Sequence, residues 1–115
     1  MRVLIIEDDE ITSGALSEGF AQMNESAFIC SKGNEGLHEL LEGDYDVAII
    51  DIGLPEISGE DIIHEIKDKG IKIPIIVLTG DLDPELKKRL LEMGVNDFMV
   101  KPFSFRELYA RVQAL

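Results

Sequence analysis

Short apolar runs and amphipathic stretches alternate along the chain, and the clearest apolar run lies near its middle. Residues 47–50 are all apolar and lead directly into Asp51, after which Gly53 and Pro55 interrupt regular structure. An unbroken apolar run bounded by turn residues is typical of a strand buried on both faces. We therefore predict a central strand of a parallel sheet here. Asp51 would stand at its carboxyl end, where open α/β sheets bind their ligands.

Four other apolar runs predict further strands, at residues 3–6, 27–30, 74–78 and 98–100. The stretches between and after the strands carry apolar residues at helical spacing. Predicted helices cover residues 10–23 and 34–41, and three more begin after the capping residues Ser58, Asp83 and Ser104. Strand and helix thus alternate five times. The alternation predicts an α/β fold with a five-stranded parallel sheet, order 2-1-3-4-5, flanked by five helices, as in flavodoxin-like proteins.

Length and composition set broad limits. The 115 residues are enough for one domain, 1–115, and 45% hydrophobic with 30% charged residues is typical of a soluble globular protein. No apolar run approaches membrane-spanning length, and acidic residues follow the first strand too soon for a signal peptide. We therefore expect a cytoplasmic protein without a membrane partner. The single cysteine, Cys30, is expected to fill core space at a strand end.

The charge is strongly negative. Asp and Glu number 23 against 11 Lys and Arg, which gives a net charge of −12. A chain of this charge repels the phosphate backbone of nucleic acid, so we do not expect it to bind DNA itself. A DNA-binding domain on the same protein stays compatible with the composition.

Polar side chains follow four of the predicted strands directly. Glu7 and Asp8 follow the first, Asp51 the third, Thr79 the fourth and Lys101 the fifth. Because the ends of parallel strands share one edge, we expect these groups in one crevice. Two carboxylates about 4 Å apart repel by roughly 4 kcal/mol at an effective dielectric near 20, so a positive charge is needed. Oxygen ligands open to water suit Mg²⁺. With a lysine and a hydroxyl they would clamp a phosphoryl group, with Asp51 as the nucleophile.

Each of these residues has a simpler interpretation when taken alone. Asp51 could cap a turn, the acids from Glu7 onward could stabilise the N-terminus of the next helix, Thr79 could be a turn residue, and Lys101 could be a solvated charge. What favours a functional site is that all of them fall on the same edge.

The whole sequence resembles the response-regulator receiver domains of two-component signalling, the family of the chemotaxis regulator. The resemblance is carried by five motifs: Glu7-Asp8, Asp51 with Leu54-Pro55, Gly59, Thr79-Gly80 and Lys101-Pro102-Phe103. It implies that Asp51 accepts a phosphoryl group from the phosphohistidine of a sensor histidine kinase. Such a domain promotes its own phosphorylation and dephosphorylation and is not a conventional enzyme.

The resemblance also implies roles for the residues around Asp51. Asp8 and Asp51 would bind Mg²⁺ directly, helped by Glu7 and the carbonyl of Gly53, and Lys101 would contact the phosphoryl oxygens. The Lys101-Pro102 bond is typically cis in this family. Thr79 would hydrogen-bond the phosphoryl group, and the aromatic Phe98 would turn into the space that Thr79 leaves.

Residues 100–112 are similar to the OmpR/PhoB class of winged-helix transcription regulators, which carry a DNA-binding domain after the receiver. The chain ends at Leu115 inside a predicted helix without a stop signal, so we expect an output domain beyond it and contact with DNA only through that domain. The class implies a homodimer on phosphorylation. The residues expected across its interface are the charge pairs Lys87 with Glu107 and Asp97 with Arg111, together with Leu91. Lys88 and Asn96 depart from the class and weaken this expectation.

Three alternatives remain open at this point. A stand-alone or phosphorelay receiver would act through protein partners, and the sequence beyond Leu115 would distinguish it. A phosphatase of the haloacid dehalogenase type needs a second acid two residues after its nucleophile, where this chain has Gly53. A flavin binder needs a Ser-, Thr- and Gly-rich loop after the first strand, where this chain has acids, and an absorption spectrum would test it.

Overall fold

The computed structural model describes residues 1–115 as a five-stranded parallel sheet flanked by five helices. The strands are β1 (Arg2–Ile6), β2 (Ser26–Cys30), β3 (Val47–Asp51), β4 (Ile75–Thr79) and β5 (Asp97–Val100). The helices are α1 (Glu10–Gln22), α2 (Gly33–Glu42), α3 (Gly59–Asp68), α4 (Pro84–Glu92) and α5 (Phe105–Gln113). The spatial order β2-β1-β3-β4-β5 confirms the predicted fold.

The sheet is covered on both sides, which explains the unbroken apolar runs. Every residue of β3 and β4 is buried. Successive side chains of a strand point to opposite faces, so each strand contributes to two cores. Ala48 and Ile50 pack with α2, α3 and α4 in one cluster, whereas Val47 and Ile49 pack with α1 and α5 in the other.

The predicted helix starts are confirmed by side-chain caps. Ser58, Asp83 and Ser104 each accept a hydrogen bond from the backbone N–H three residues later. Helix α5 ends at Gln113 with Ala114 as its C-cap, whereas the sequence predicted a helix that continues through Leu115. None of the five helices has both the length and the apolar character that crossing a membrane would require.

The apolar face of α1 is narrower than the sequence predicted. The helical spacing of the small and apolar residues Ala15, Leu16, Gly19, Phe20 and Met23 predicts that all five lie on this face, but Ala15 and Met23 are exposed and only Leu16 and Phe20 are buried. Gly19 contributes by being small, since a Cβ there would lie 2.5 Å from the Phe105 ring. The aromatic side chains of α5 therefore pack directly against the backbone of α1.

Candidate functional site

Three carboxylates meet at the carboxyl edge of the sheet, as the strand ends predicted. One oxygen from each of Glu7, Asp8 and Asp51 lies within 4.8 Å of the others. Glu7 is fully buried and Asp51 is 6% exposed, whereas Asp8 is open to solvent. The cluster therefore lies in a pocket whose inner acids are shielded from water and whose outer acid is exposed.

The loop after β3 holds Asp51 in place. The N–H of Gly53 donates to Asp51 Oδ1 at 3.1 Å, and the N–H of Gly59 donates to the carbonyl of Ile52 at 3.1 Å. A Cβ on Gly59 would lie 2.6 Å from the carbonyl oxygen of Asp51, so only glycine lets α3 begin this close to the strand. Leu54 is buried in the core below the loop. These contacts leave one oxygen, Oδ2, on the side of the lysine.

Lys101 supplies the positive charge expected in the cluster. Its Nζ lies 2.6 Å from Glu7 Oε1 and 3.4 Å from Asp51 Oδ2. Partial burial lowers the pKa of Lys101, but the hydrogen bond to Glu7 and the charges of Asp51 and Glu7 outweigh this effect and raise the pKa above its ordinary value. The Lys101-Pro102 bond is cis, as the resemblance implied. Lys101 is therefore a permanent cation between the two buried acids.

Glu7 is the acid of the cluster whose ionised form is least favoured. Burial raises its pKa most, the contact with Asp51 raises it further, and the hydrogen bond from Lys101 offsets only part of this, so that the pKa is about 7. The N–H of Asp9 also donates to Glu7 Oε2, at 3.3 Å. Carboxylates that crowd one another at such a cost are stabilised by a bound cation. Because the donors are hard oxygens with access to water, the cluster fits Mg²⁺.

Thr79 lies at the same edge, but its hydroxyl is not bonded to the cluster. The buried Oγ1 donates to the carbonyl of Asp81 at 3.0 Å and accepts from the N–H of Asp81 at 3.2 Å. The structure therefore shows the predicted switch residue engaged with the loop that leads into α4.

Phe98 is half-buried on β5, opposite Val77 of β4, and packs against the α3–α4 side of the core. It lines a cavity of about 540 Å³ on the α4–β5–α5 face. The cavity also contains the four charged residues predicted for the dimer interface: Lys87, Asp97, Glu107 and Arg111. Leu91, the apolar residue predicted with them, is 55% exposed.

Two charged or polar residues of this region have partners that the sequence did not indicate. Arg111 Nη1 donates to Asp97 Oδ1 at 2.7 Å within the same chain, where we had expected a pair between two chains. Asn96, which replaces a usual acid, accepts from the N–H of Ile75 through Oδ1 at 2.9 Å. Its own N–H donates to the carbonyl of Ile75, so Asn96 fastens the start of β5 to β4.

An apolar groove lies beside Lys101 that was not predicted from the sequence. The groove has a volume of about 390 Å³ and lies between α1 and the loop after β5. Ile11 on its rim is 84% exposed. The feature of the sequence that could have indicated the groove is Ile11. It directly follows four consecutive acids, at a position that the helical pattern does not place in the core. The remaining lining residues are Thr12, Ala15, Leu16, Lys101, Pro102, Phe103 and Phe105.

Comparison with known proteins places this geometry in a family. The family model of the response regulator receiver domain matches residues 3–113. The chain belongs to this family. A receiver domain of this kind has neither a flavin loop nor the second acid of a dehalogenase-type phosphatase, and both of those alternatives lose their basis.

Curated relatives of the receiver are transcription regulators by name. Transcriptional regulatory protein CusR of Escherichia coli K12 is 37% identical over 115 residues, which cover 100% of this chain and 51% of CusR. The probable transcriptional regulatory protein SilR of Salmonella typhimurium is 39% identical over 118 residues, which cover 100% of this chain and 50% of SilR. The receiver thus spans about half the length of the curated relatives it matches.

Solved structures agree with the fold of the receiver. The receiver domain of Francisella response regulator 1452 has a TM-score of 0.93 at 28% identity, over 98% of this chain and 93% of that chain. DrrB of Thermotoga maritima, an OmpR/PhoB homologue, has a TM-score of 0.86 at 28% identity, over 97% of this chain and 50% of that chain. A DrrB receiver domain activated with BeF3 has a TM-score of 0.87 at 28% identity, over 98% and 94%.

Proposed function

We propose that Asp51 is the phosphoryl acceptor of this receiver domain. The observation that carries the proposal is the position of Asp51 Oδ2, 3.4 Å from Lys101 Nζ, while Oδ1 is held by the N–H of Gly53. One oxygen is thus fixed and the other faces the cation of the site. Receiver domains interact with histidine kinases, so we take a sensor histidine kinase as the phosphoryl donor.

The transfer is a substitution at phosphorus. A carboxylate oxygen of Asp51 forms a bond to the phosphorus, the bond from phosphorus to the histidine nitrogen breaks, and the imidazole leaves with its electron pair. Lys101 offsets negative charge on the phosphoryl oxygens. Attack of water on the same phosphorus later returns Asp51 and inorganic phosphate. The domain therefore takes part in its own phosphorylation and dephosphorylation and turns over no separate substrate.

Mg²⁺ is the proposed cofactor. Glu7, Asp8 and Asp51, with the carbonyl of Gly53, would hold the ion, and bound there it would neutralise charge on the transferring group. The support is the set of three converging carboxylates and the raised pKa of Glu7.

The proposed readout begins at Thr79. A phosphoryl group on Asp51 offers new acceptor oxygens, and the Thr79 hydroxyl would exchange its bonds to Asp81 for one to the phosphoryl group. Phe98 would turn into the space that is vacated. The loop into α4 would then be released, which changes the α4–β5–α5 face and favours a homodimer through it.

At the level of the whole protein, we propose a cytoplasmic transcription regulator with a DNA-binding output domain after the receiver. The names of CusR and SilR support this, because the receiver matches half of each. The alternative is a stand-alone or phosphorelay receiver that acts by protein interaction. Sequence beyond Leu115 would decide between them.

Intact-mass measurement tests the acceptor. Incubation with acetyl phosphate and Mg²⁺ should add one phosphoryl group to the wild-type chain and none to Asp51→Asn, and EDTA should prevent the addition. Asp9→Asn is the matched control, because Asp9 is a nearby acid that caps α1 and bonds Thr12. Labelling of Asp51→Asn to the wild-type level would refute the assignment.

A further inference from the structure

Two helices on the same side of the sheet are joined by an ion pair outside the acidic site. Arg89 of α4 donates from Nε to Glu60 Oε2 at 2.9 Å and from Nη2 to Glu60 Oε1 at 3.0 Å. Two parallel bonds between a planar guanidinium and a carboxylate fix orientation as well as distance. The other arginine ion pair between side chains, Arg111 with Asp97, uses a single hydrogen bond.

Glu60 stands on a fixed part of the molecule. Helix α3 buries Gly59, Ile62, Ile63 and Ile66, and its first turn is bonded to the end of β3 through the N–H of Gly59 and the carbonyl of Ile52. The backbone that carries Glu60 is therefore fastened to the strand that carries Asp51.

Arg89 stands on a weakly held helix. Helix α4 buries only Leu86 and Leu90, and it follows the loop in which the Thr79 hydroxyl is bonded to Asp81. Elements with few buried apolar contacts are the ones that open or shift at low cost. The bidentate pair therefore adds an oriented polar contact between α3 and α4 to the packing of Leu86 and Leu90.

The guanidinium also has a second partner available. Glu85 precedes Arg89 by four residues on α4, a spacing that places two side chains on the same helix face. Glu60 contributes most to the raised pKa of Arg89, and Asp83 and Glu85 contribute further through their charges. If α4 shifts, Arg89 can turn from Glu60 to Glu85 without losing an anionic partner. Such an exchange gives the helix two discrete arrangements.

We propose that the Arg89–Glu60 pair is a latch that holds α4 in its resting position and sets how strongly phosphorylation must act to move it. The inference rests on the proposed function, because it concerns the response of α4 to the state of Asp51. The side chains of Arg89 and Glu60 are 53% and 29% exposed, so dissolved salt weakens their attraction. The threshold for activation therefore falls as ionic strength rises.

Binding of beryllofluoride with Mg²⁺, followed by the amide signals of the loop before α4, tests the latch. Glu60→Gln and Arg89→Gln should each bind beryllofluoride about two- to fivefold more tightly than the wild-type chain, the factor expected when one exposed bidentate pair no longer opposes the active state. Asp61→Asn is the control: it removes one negative charge from the same first turn, and Asp61 forms no ion pair. Its affinity should equal that of the wild type. The double variant Glu60→Arg with Arg89→Glu should return the affinity towards the wild-type value.

A salt titration of the wild-type chain and of Glu60→Gln makes a second test of the latch. The ratio of the Glu60→Gln affinity to the wild-type affinity should approach one as NaCl is raised, because salt opens the latch in the wild type only. Three results would overturn the latch and leave the proposed function standing. They are equal beryllofluoride affinities of Glu60→Gln and the wild type at low salt, weaker binding by Glu60→Gln, and the same gain in affinity in Asp61→Asn. Absence of beryllofluoride binding in the wild-type chain would overturn the proposed function, and the latch with it.

Discussion

Lys101 Nζ lies 2.6 Å from Glu7 Oε1, although the two residues come from opposite ends of the chain. They follow β5 and β1, and in the sheet β3 and β4 lie between those strands. The ammonium therefore crosses the carboxyl edge and passes Asp51 on the way, with 3.4 Å to Asp51 Oδ2. One cation offsets the charge of two buried acids.

Glu7 should make stability depend on pH when no divalent ion is present. Its pKa is about 7 in the folded chain against 4.5 for an unperturbed group. The folded chain thus holds a proton that the unfolded chain releases, so this contribution is complete below the unfolded pKa and is lost as the pH rises through 7. We expect the free energy of unfolding in urea to fall by about 1–3 kcal/mol between roughly pH 5 and pH 8.

The variant Glu7→Gln isolates this contribution, since its amide is neutral at every pH and similar in shape to the protonated acid. The difference in unfolding free energy between the variant and the wild type should grow over the same pH range. A difference in unfolding free energy that stays constant with pH would contradict the prediction. Added Mg²⁺ should flatten the wild-type curve, because a cation favours the ionised carboxylate.

Thr79→Ala should separate phosphorylation from switching. The hydroxyl is bonded to Asp81 and not to the acidic cluster, so its loss should leave labelling by acetyl phosphate and Mg²⁺ intact. The change that phosphorylation is expected to cause in the amide signals of the α4–β5–α5 face should be lost. Lys101→Ala provides the contrast, since it keeps the fold but perturbs contacts with the phosphoryl group and impairs the signal. If Thr79→Ala abolishes labelling while its circular dichroism stays native, the division of roles is wrong.

Arg111→Glu should weaken the dimer that forms with beryllofluoride. Arg111 already pairs with Asp97 within the chain at 2.7 Å, so a pair between chains would compete with this bond. Exposed pairs contribute only about 0–1 kcal/mol, so sedimentation should show a monomer or weak dimer at rest and a stronger dimer on activation. Adding Asp97→Arg should restore part of the association.

Arg106→Glu is the control for this experiment. It makes the same change of charge on α5, at an exposed position outside the cavity that contains Asp97 and Arg111. Its dimer should match that of the wild type. A chain that stays monomeric at high concentration with beryllofluoride bound would favour the stand-alone receiver.

Ile11→Asp should slow phosphoryl transfer from a kinase but not from acetyl phosphate. Ile11 is 84% exposed beside the groove that leads to Lys101, and a donor protein must approach Asp51 over this edge. A small donor needs no such contact. Loss of an apolar anchor typically costs about 1–2 kcal/mol, or roughly five- to thirtyfold in kcat/KM. Ala21→Asp, exposed on the same helix but outside the groove, should transfer normally. Equal rates for both variants would remove the groove from the docking surface.

Gly59→Ala should destabilise the chain by about 1–3 kcal/mol, because the added methyl group would overlap the backbone at Asp51. Gly14→Ala makes the same change within α1, where nothing lies within 4 Å of the new Cβ. That variant should gain about 0.5–1 kcal/mol from helix propensity. Urea unfolding measures both. A Gly59→Ala variant that unfolds at the same urea concentration as the wild type would show that the loop can adjust.

The fold and the membership of the site followed from local pattern. Apolar runs, capping residues and the rule that parallel strands end on one edge are enough to place Glu7, Asp8, Asp51 and Lys101 together. The same patterns predicted the helix starts at Ser58, Asp83 and Ser104, because the cap and the N–H it bonds are three residues apart.

Side-chain partners that are far apart in the sequence could not be predicted from these local patterns. Arg89 with Glu60 and Arg111 with Asp97 depend on how one element is placed relative to another, and no local spacing indicates them. The difference between buried Glu7 and exposed Asp8 has the same origin, since adjacent acids after a strand point in different directions. Met23 shows the limit of periodicity: its spacing fits the apolar face of α1, but the helix ends at Gln22 and Met23, its C-cap, is exposed.

The carbonyl of Thr79 accepts a hydrogen bond from the N–H of Lys101 at 2.8 Å, so the ends of β4 and β5 are tied together beyond the last residue of each apolar run. In the proposed response to phosphorylation, this backbone bond would separate a fast step at the Thr79 side chain from a slow step at α4. The backbone of Thr79 is held by this bond, so an exchange of partners by the Thr79 hydroxyl requires only rotation of the side chain, an event with the short timescale of a rotamer change. Movement of a whole helix belongs to the microsecond-to-millisecond range. Under the proposed readout, the receiver would register the phosphoryl group quickly, at one torsion angle of Thr79, and would report it later through the slower movement of α4.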